Sequence, residues 1–231
     1  MGLPWLKALT VFGQELVANP RPIGAACPSS PGLARRVARM VGQTRDNYVL
    51  EIGAGTGAIT AALLRDCVPP ERLIAVERST PMVNLLRQRF QKVRIIEGDA
   101  CDLVDTLERQ GDIDLRSITH VVSSLPLRSL PADQVARITS QFLRILSHGS
   151  HLVQYTYNLR QGSGRMFGQF RRRSSSVVWL NLPPARVELF SASGAAQDLG
   201  PRDREMFNRM PSENPFRIAP GHKQANATPR S

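Results

Sequence analysis

The sequence predicts an α/β fold in which a seven-stranded sheet is covered by helices on both faces. From residue 47 onward, short apolar runs alternate with segments of helical periodicity, which is typical of parallel strands joined by crossover helices. The last two apolar runs are separated by Pro183 and Pro184, which favours an antiparallel hairpin at the edge of the sheet. A chain of 231 residues can bury a core of this size without disulfides or a structural metal ion.

The elements of this core follow one another in regular order. Strands are expected at 47–52, 72–77, 93–97, 118–124, 150–157, 176–182 and 186–190. Helices are expected between them at 56–66, 80–91, 101–110 and 132–146. Short, nearly continuous apolar runs are typical of strands that are buried on both faces of a sheet. We therefore assign residues 47–190 to one α/β domain.

Two amphipathic helices are predicted before this domain, within residues 1–46. The apolar face of the first, over 3–18, carries Trp5, Leu6, Leu9, Phe12 and Leu16. The second is expected to begin after Ser30 as its N-cap, with Pro31 at the first helical position. Residues 191–231 are rich in Pro, Gly, Ser, Asn and Arg without periodicity, which indicates a disordered tail.

The charge balance favours an anionic partner. The chain has 30 Lys and Arg against 19 Asp and Glu, a formal charge of +11, which suits a phosphate backbone or an anionic membrane surface. No apolar run approaches the roughly 18 residues of a membrane-spanning helix. The three cysteines lack the spacing of a disulfide framework or a zinc site. We therefore expect no metal site, and a reducing cytoplasm is the simplest setting.

A glycine-rich loop is the strongest motif. In VLEIGAGTGAIT (49–60), a predicted strand runs into a turn and a helix follows at once. The residues of the turn include Gly53, Ala54, Gly55 and Gly57. Glycines allow a ligand to approach the main chain closely, and the N–H groups at the helix start favour a polar or anionic group. Glu77, after the second strand, is placed to accept ribose hydroxyls, and Asp99, after the third, to accept from an adenine amine.

Two classes of cofactor fit this loop. The spacing of Gly53, Gly55 and Ala58 also satisfies the fingerprint of nicotinamide dinucleotide-binding proteins. Against that interpretation, Glu51 stands two residues before the first glycine, where it suits an ammonium group and would repel a pyrophosphate. Gly57 also makes the spacing GxGxG rather than GxGxxG.

Together, E-x-G-x-G-x-G, Glu77 and GDA resemble the class I S-adenosylmethionine-dependent methyltransferases. The resemblance implies a Rossmann-like seven-stranded sheet with a reversed last strand, and S-adenosylmethionine as the cofactor. It assigns Glu51 and the glycine loop to the methionine part, Glu77 to the ribose, and Asp99 with Ala100 to the adenine. Three further residues are assigned to the cofactor site: Ser29, Arg78 and Ser123.

A narrower resemblance extends over roughly residues 10–190. The blocks that carry it are NPRPIGAACPSSPGLARRVA (19–38), VLEIGAGTGAIT, VVSSLPL (121–127), LVQYTYN (152–158) and NLPPARV (181–187). They are similar to the bacterial phospholipid N-methyltransferases, which methylate phosphatidylethanolamine stepwise toward phosphatidylcholine and have close relatives that methylate ornithine lipids. The resemblance implies a phospholipid substrate, and methylation of the amine of its head group.

The loop is also similar to that of the rRNA adenine dimethyltransferases, which makes an RNA adenine methyltransferase the alternative. Those enzymes carry NLPY after the fourth strand, whereas this chain has SSLPL, with Leu127 in place of the aromatic residue. Because an aromatic residue there stacks on the flipped base, nucleic acid is not the expected partner. A protein that binds the cofactor or a membrane without catalysis is a third interpretation, since no dedicated base is evident.

Candidate catalytic residues lie at the ends of the fourth and fifth predicted strands. They are Ser123, Tyr155 and Tyr157. Either tyrosine could accept a proton from the substrate ammonium, and their rings, with that of Trp179, could hold a methylammonium by cation–π attraction. The alternative is that both tyrosines are core or sheet-edge residues.

Two segments are candidates for contact with an anionic membrane. The apolar face of the 3–18 helix, with Trp5, Leu9, Phe12 and Leu16, has the form of an interfacial anchor. Residues 160–173 are expected to form a mobile lid whose Arg171, Arg172 and Arg173 contact lipid phosphates. The alternatives are a helix packed on its own domain, and a solvated loop or one that suits RNA phosphates. These features predict a peripheral protein on the inner face of the cytoplasmic membrane.

Overall fold

The computed structural model describes residues 29–146 and 150–192. The helices are α1 (Pro31–Val41), α2 (Ala58–Asp66), α3 (Thr80–Arg89), α4 (Leu103–Glu108) and α5 (Ala132–Ile145). The strands are β1 (Tyr48–Ile52), β2 (Leu73–Glu77), β3 (Arg94–Glu97), β4 (Ile118–Ser123), β5 (His151–Thr156), β6 (Phe170–Val178) and β7 (Ala185–Ala192). The predicted 3–18 helix, with Trp5, Leu9, Phe12 and Leu16, lies outside the described residues. The predicted tail also lies outside them, except that β7 continues to Ala192.

The sheet confirms the predicted seven strands and the antiparallel pair at one edge. Its order is β3-β2-β1-β4-β5-β7-β6. The first five strands are parallel, and β7 runs antiparallel to both β5 and β6. Register aligns the strand ends, since Ile52 pairs with Val76 on one side and Ser123 on the other. The carboxyl ends of β1, β2 and β4 therefore meet at one edge.

Helices cover both faces of the sheet, as predicted. Leu33 of α1, Leu63 of α2 and Leu86 of α3 belong to one buried cluster. Leu107 of α4 and Phe142 of α5 belong to the other. Neighbouring strand residues alternate between the two clusters because successive side chains of a strand point to opposite faces. None of the helices in the described ranges is long and apolar enough to cross a membrane.

The sixth strand differs from its prediction. It runs over Phe170–Val178 rather than 176–182, so the lid expected over 160–173 is wrong for Arg171, Arg172 and Arg173, which lie in β6. A sheet edge accepts charged side chains that would be excluded from a central strand, and all three arginines are exposed. Residues 179–182, of which Trp179, Leu180 and Leu182 are apolar, form the turn into β7 instead.

Candidate active site

A cavity of about 630 Å³ lies at the carboxyl ends of the parallel strands. The strand order reverses between β1 and β4, which is where α/β sheets of this kind bind ligands. The cavity is lined by Ser29 and by the segments that follow β1 to β4 and end β5. Its volume is that of a site for a small molecule or cofactor.

The glycine loop turns sharply because three glycines adopt positive φ angles. These angles are 73° at Gly53, 56° at Gly55 and 79° at Gly57. Gly53, Ala54 and Gly55 line the cavity, but Gly57 does not. A Cβ at Gly57 would lie 2.4 Å from the Phe90 ring. This side of the loop packs against α3 and Phe90, and the contact of Gly57 with the cofactor stays a prediction.

Glu77 connects the loop to the end of β2. One carboxylate oxygen accepts from the Gly55 N–H over 2.9 Å, and the other accepts from the N–H groups of Arg78 and Ser79, each over 2.9 Å. Glu77 and Arg78 both line the cavity. Because each carboxylate oxygen has two lone pairs, the oxygen bound to Gly55 retains capacity to accept from one ligand hydroxyl while Glu77 fixes the loop.

Asp99 and Ala100 occupy the corresponding position after β3, and both line the cavity. The Asp99 Oδ1 atom accepts from the Cys101 N–H over 2.8 Å. Its Oδ2 atom lies 3.6 Å from the Arg78 guanidinium. One oxygen thus orients the carboxylate, and the other keeps capacity to accept from an amine.

Glu51 lies behind the cavity wall, and its contact with the methionine part of the cofactor stays a prediction. Its side chain is completely buried and does not line the cavity. The reason is its position in a central strand, between Ala75 and Val122. The Thr60 hydroxyl donates to Oε2 over 2.7 Å, whereas Oε1 has no hydrogen-bond partner within the described residues. Burial raises the pKa of this carboxyl group to about 8.

Ser123 also lies outside the cavity lining, and its roles in catalysis and cofactor binding stay predictions. It ends a central strand and is completely buried, and its hydroxyl accepts from the Leu125 N–H over 3.4 Å. The adjacent Ser124 lines the cavity instead. Its hydroxyl lies beside the Tyr155 hydroxyl, and a hydrogen bond between them moderates the rise in the Tyr155 pKa.

Tyr155, Tyr157 and Ser29 lie together in the cavity wall. The Ser29 hydroxyl donates to the Tyr155 hydroxyl over 3.2 Å. The two tyrosine rings are 6.0 Å apart and meet edge to face at 79°. Burial raises the pKa of Tyr155, so its phenol is neutral at physiological pH and serves as a hydrogen-bonding group rather than as a base. Trp179, Arg171, Arg172 and Arg173 do not line the cavity.

Gln154 was not singled out from the sequence, yet it lines the cavity and is only 1% exposed. Its Nε2 atom donates to the carbonyl oxygens of Leu125 over 3.1 Å and Tyr155 over 2.8 Å. Its Oε1 atom has no hydrogen-bond partner among the described residues. The amide is therefore held in one orientation, with a buried acceptor left over.

Comparisons with known proteins agree with this architecture. A family model described as a methyltransferase domain matches residues 49–149. An ornithine lipid N-methyltransferase from Singulisphaera acidiphila is 31% identical over 188 residues, 78% of this chain and 94% of that protein. Ribosomal RNA small subunit methyltransferase A from Geobacter metallireducens is 41% identical, over only 33% of this chain and 28% of that enzyme. The N-methyltransferase NodS from Bradyrhizobium japonicum, solved with S-adenosyl-L-homocysteine, has the same fold, with a TM-score of 0.55 and 15% identity over 80% of this chain and 97% of NodS.

The fold and the cavity are those of a Rossmann-like methyltransferase. The extent of the match to the lipid-modifying relative establishes the family. This chain belongs to the class I S-adenosylmethionine-dependent methyltransferases, and its cofactor is S-adenosylmethionine.

The residues in the cavity fit that cofactor. The backbone at Gly55 is open to close approach, since a Cβ there would meet only the Gly53 carbonyl oxygen, at 3.9 Å. Glu77 and Asp99 present carboxylate oxygens with remaining acceptor capacity. Glu51 lies behind the loop with a pKa of about 8 and an Oε1 atom that has no hydrogen-bond partner among the described residues, so a cationic ligand at the loop would favour its ionised form.

Proposed function

We propose that this chain transfers methyl groups from S-adenosylmethionine to the amine of a membrane-lipid head group, an ornithine lipid or phosphatidylethanolamine. The observation that carries the proposal is the match to an ornithine lipid N-methyltransferase over 94% of its length. That match covers 188 residues and extends well beyond the methyltransferase-domain match at 49–149. It therefore involves more of the chain than the cofactor-binding half.

A buried acceptor supports an amine substrate. Gln154 lines the cavity, and its Oε1 atom has no hydrogen-bond partner within the described residues. Buried polar atoms are almost always paired in native proteins, so a substrate N–H group would complete its hydrogen bonding. A primary amine supplies such donors.

The aromatic residues support a substrate that becomes methylated on nitrogen. The faces of Tyr155 and Tyr157 are suited to a methylammonium group, at about 0.5–2 kcal/mol for each cation–π contact. Leu127 is only 2% exposed and provides no ring on which a flipped adenine could stack. These features favour a lipid amine over an RNA base.

The proton of the substrate ammonium passes to solvent water before the amine is enclosed and methyl transfer begins. S-adenosylmethionine supplies the methyl group from its sulfonium centre, and only a neutral amine has the lone pair to attack it. Tyr155 does not take this proton, because burial raises its pKa. Its role and that of Gln154 are to hold and orient the neutral amine and to exclude water, which are large contributions to a displacement of this kind.

The enzyme acts from the inner face of the cytoplasmic membrane in this proposal. The formal charge of +11 favours an anionic surface. The amphipathic 3–18 segment, with Trp5, Leu9, Phe12 and Leu16, supplies a reversible anchor. Deleting residues 1–18 is expected to reduce co-sedimentation with vesicles that contain phosphatidylglycerol, and unchanged co-sedimentation would contradict the anchor.

A panel of vesicles tests the substrate. The full chain is incubated with methyl-labelled S-adenosylmethionine and vesicles that contain an ornithine lipid, phosphatidylethanolamine or N-acylated phosphatidylethanolamine, whose amine is blocked. We expect labelled lipid from at least one of the first two and none from the third. Labelling of the blocked lipid, or of no lipid by a protein that still binds cofactor, would contradict the proposal.

A further inference from the structure

The turn between β6 and β7 exposes three large apolar side chains. Trp179 is 71% exposed, Leu180 is 94% exposed and Leu182 is 82% exposed. They are the large hydrophobic residues that remain exposed in the described ranges. A contiguous apolar group of this kind at the tip of a hairpin indicates an interaction surface.

The turn is fixed to the wall of the cavity. Asn181, between the exposed leucines, is buried, and its Oδ1 atom accepts from the Ser30 N–H over 3.1 Å. Its Nδ2 atom donates to the Pro183 carbonyl oxygen over 2.7 Å. Ser29, the neighbour of Ser30, lines the cavity and donates to Tyr155. The apolar tip is therefore held at a constant position relative to the active site.

The surroundings of the turn are basic. The Arg36 Nε atom donates to Ser176 over 2.6 Å, and the Arg186 Nη1 atom donates to Ser175 over 2.8 Å, so both guanidinium groups lie beside the hairpin. The hairpin itself contributes no acidic side chain near its tip, since residues 170–187 contain no Asp or Glu. An anionic surface is thus attracted to the same side that presents the apolar tip.

We propose that the turn over residues 179–182, called here the apolar turn, inserts into the interfacial region of an anionic lipid bilayer. This inference rests on the proposed lipid function, and it assigns to the apolar turn the task of holding the cavity beside the membrane. Tryptophan and leucine side chains above arginines have the composition of interfacial segments. Three side chains offer far less surface than the roughly 800 Å² per partner of a stable protein interface, which favours a bilayer over a second copy of the chain.

Tryptophan fluorescence reports insertion directly. The chain has two tryptophans, so a Trp5→Phe variant leaves Trp179 as the only one. On addition of vesicles that contain phosphatidylglycerol, we expect its emission to shift to the blue and to be quenched by brominated acyl chains near the interface. Unchanged emission while the protein co-sediments with the vesicles would overturn the proposal. Emission that is already blue-shifted without vesicles, and stays unchanged on their addition, would show instead that the chain itself or a second copy covers the turn.

A pair of variants tests the contribution of the apolar turn to binding. Trp179→Ser, Leu180→Ser and Leu182→Ser together remove its apolar character, and Trp179→Phe, Leu180→Ile and Leu182→Ile together preserve it. We expect the serine variant to bind vesicles about ten-fold more weakly or worse, with unchanged cofactor affinity, and the conservative variant to bind as the parent does. Equal vesicle binding by the serine and conservative variants would overturn the insertion. So would the finding that the parent protein is a dimer and that the serine variant alone is monomeric.

The two proposals fail in distinguishable ways. Methylated lipid with no fluorescence response of Trp179 would leave the lipid function standing and reject the insertion. A clear response of Trp179 with no methylated lipid from any vesicle would support the insertion and reject the proposed substrate. Protection of Trp179 by RNA but not by vesicles, together with no methylated lipid, would reject both.

Discussion

The Ser29 hydroxyl donates a hydrogen bond to the hydroxyl of Tyr155 over 3.2 Å, across 126 residues of sequence. It joins the segment before α1 to the end of β5, and both residues line the cavity. Because Ser29 is the donor, the Tyr155 O–H can donate to another group. The bond thereby orients one phenol in the wall beside the proposed substrate amine.

Tyr155→Phe is expected to reduce kcat about five-fold, since it removes one neutral hydrogen bond and keeps the ring. Tyr155→Leu is expected to reduce kcat further because the ring and its cation–π attraction are lost as well. Steady-state kinetics with vesicle substrate checks this order, and cofactor affinity should not change. Equal rates for both variants would show that the ring contributes nothing.

Glu77→Ala is expected to weaken S-adenosylmethionine binding at least about ten-fold. The change removes a carboxylate that fixes Gly55 and faces the cavity, and a hydrogen bond to a charged group contributes about 1.5–3 kcal/mol. Calorimetric titration measures the loss. Glu71→Gln, an exposed acid outside the cavity lining, is the matched control, and a comparable loss there would contradict the assignment.

Cofactor binding should release a proton from Glu51. In the free protein the pKa of this carboxyl group is about 8, so it is protonated at pH 7. A cationic ligand beside the loop favours the ionised form, which makes cofactor affinity rise with pH up to about 8 and level off above it. Calorimetry in buffers of different ionisation enthalpy measures the proton. The Glu51→Gln variant should bind the cofactor without this proton release. Proton release that persists in that variant would show that the proton comes from another group.

The same group should make the cofactor-free protein less stable at alkaline pH. The pKa of Glu51 is raised from 4.5 to about 8 on folding, so the unfolded state gives up its proton first. Its contribution to the free energy of unfolding is full below pH 4.5 and is lost as pH rises through about 8. Glu51→Gln should therefore melt at a higher temperature than the parent at pH 9, with a smaller difference at pH 5. A lower melting temperature at pH 9 would contradict this account.

Gln154→Met is expected to reduce methyl transfer about ten-fold while cofactor affinity is retained. The side chain keeps its volume, but the amide that donates to Leu125 and Tyr155 and offers Oε1 to the cavity is lost. The expected loss corresponds to about 1–2 kcal/mol, the contribution of a buried hydrogen bond. Single-turnover kinetics separates this effect from binding. Unchanged turnover would exclude Gln154 as an amine acceptor.

The residues around the glycine loop were predictable because some backbone conformations require particular residue types. Gly53 and Gly55 need positive φ angles, and Glu77 and Asp99 end adjacent parallel strands. Register then brings them together without any further information. The assignment to the methyltransferases followed from the same few positions.

The direction of side chains at strand ends was not predictable. Glu51 and Ser123 lie in central strands that are covered on both faces, so both are completely buried, whereas the next residue after β4, Ser124, lines the cavity. Aligning Ser124-Leu125-Pro126-Leu127 with NLPY gives Ser124 the position of the Asn. This alignment was the feature of the sequence that could have indicated Ser124 rather than Ser123.

The position of the sixth strand at the edge of the sheet was predicted wrongly for a related reason. Arg171, Arg172 and Arg173 resemble a solvated loop in sequence, and 179–182 resemble a strand. An edge strand accepts the arginines, and the turn exposes the apolar residues. Polar residues therefore form the strand and apolar residues the exposed turn, which is the opposite of the usual pattern.

The most direct test of the central claim is a competition for labelled methyl groups in one reaction. The full chain receives methyl-labelled S-adenosylmethionine together with vesicles of an ornithine lipid and phosphatidylethanolamine and with small-subunit rRNA. The account predicts label in an amine-bearing lipid, none in RNA, and none in either with Glu77→Ala. Label in the RNA, or none in lipid from a protein that binds the cofactor, would contradict it.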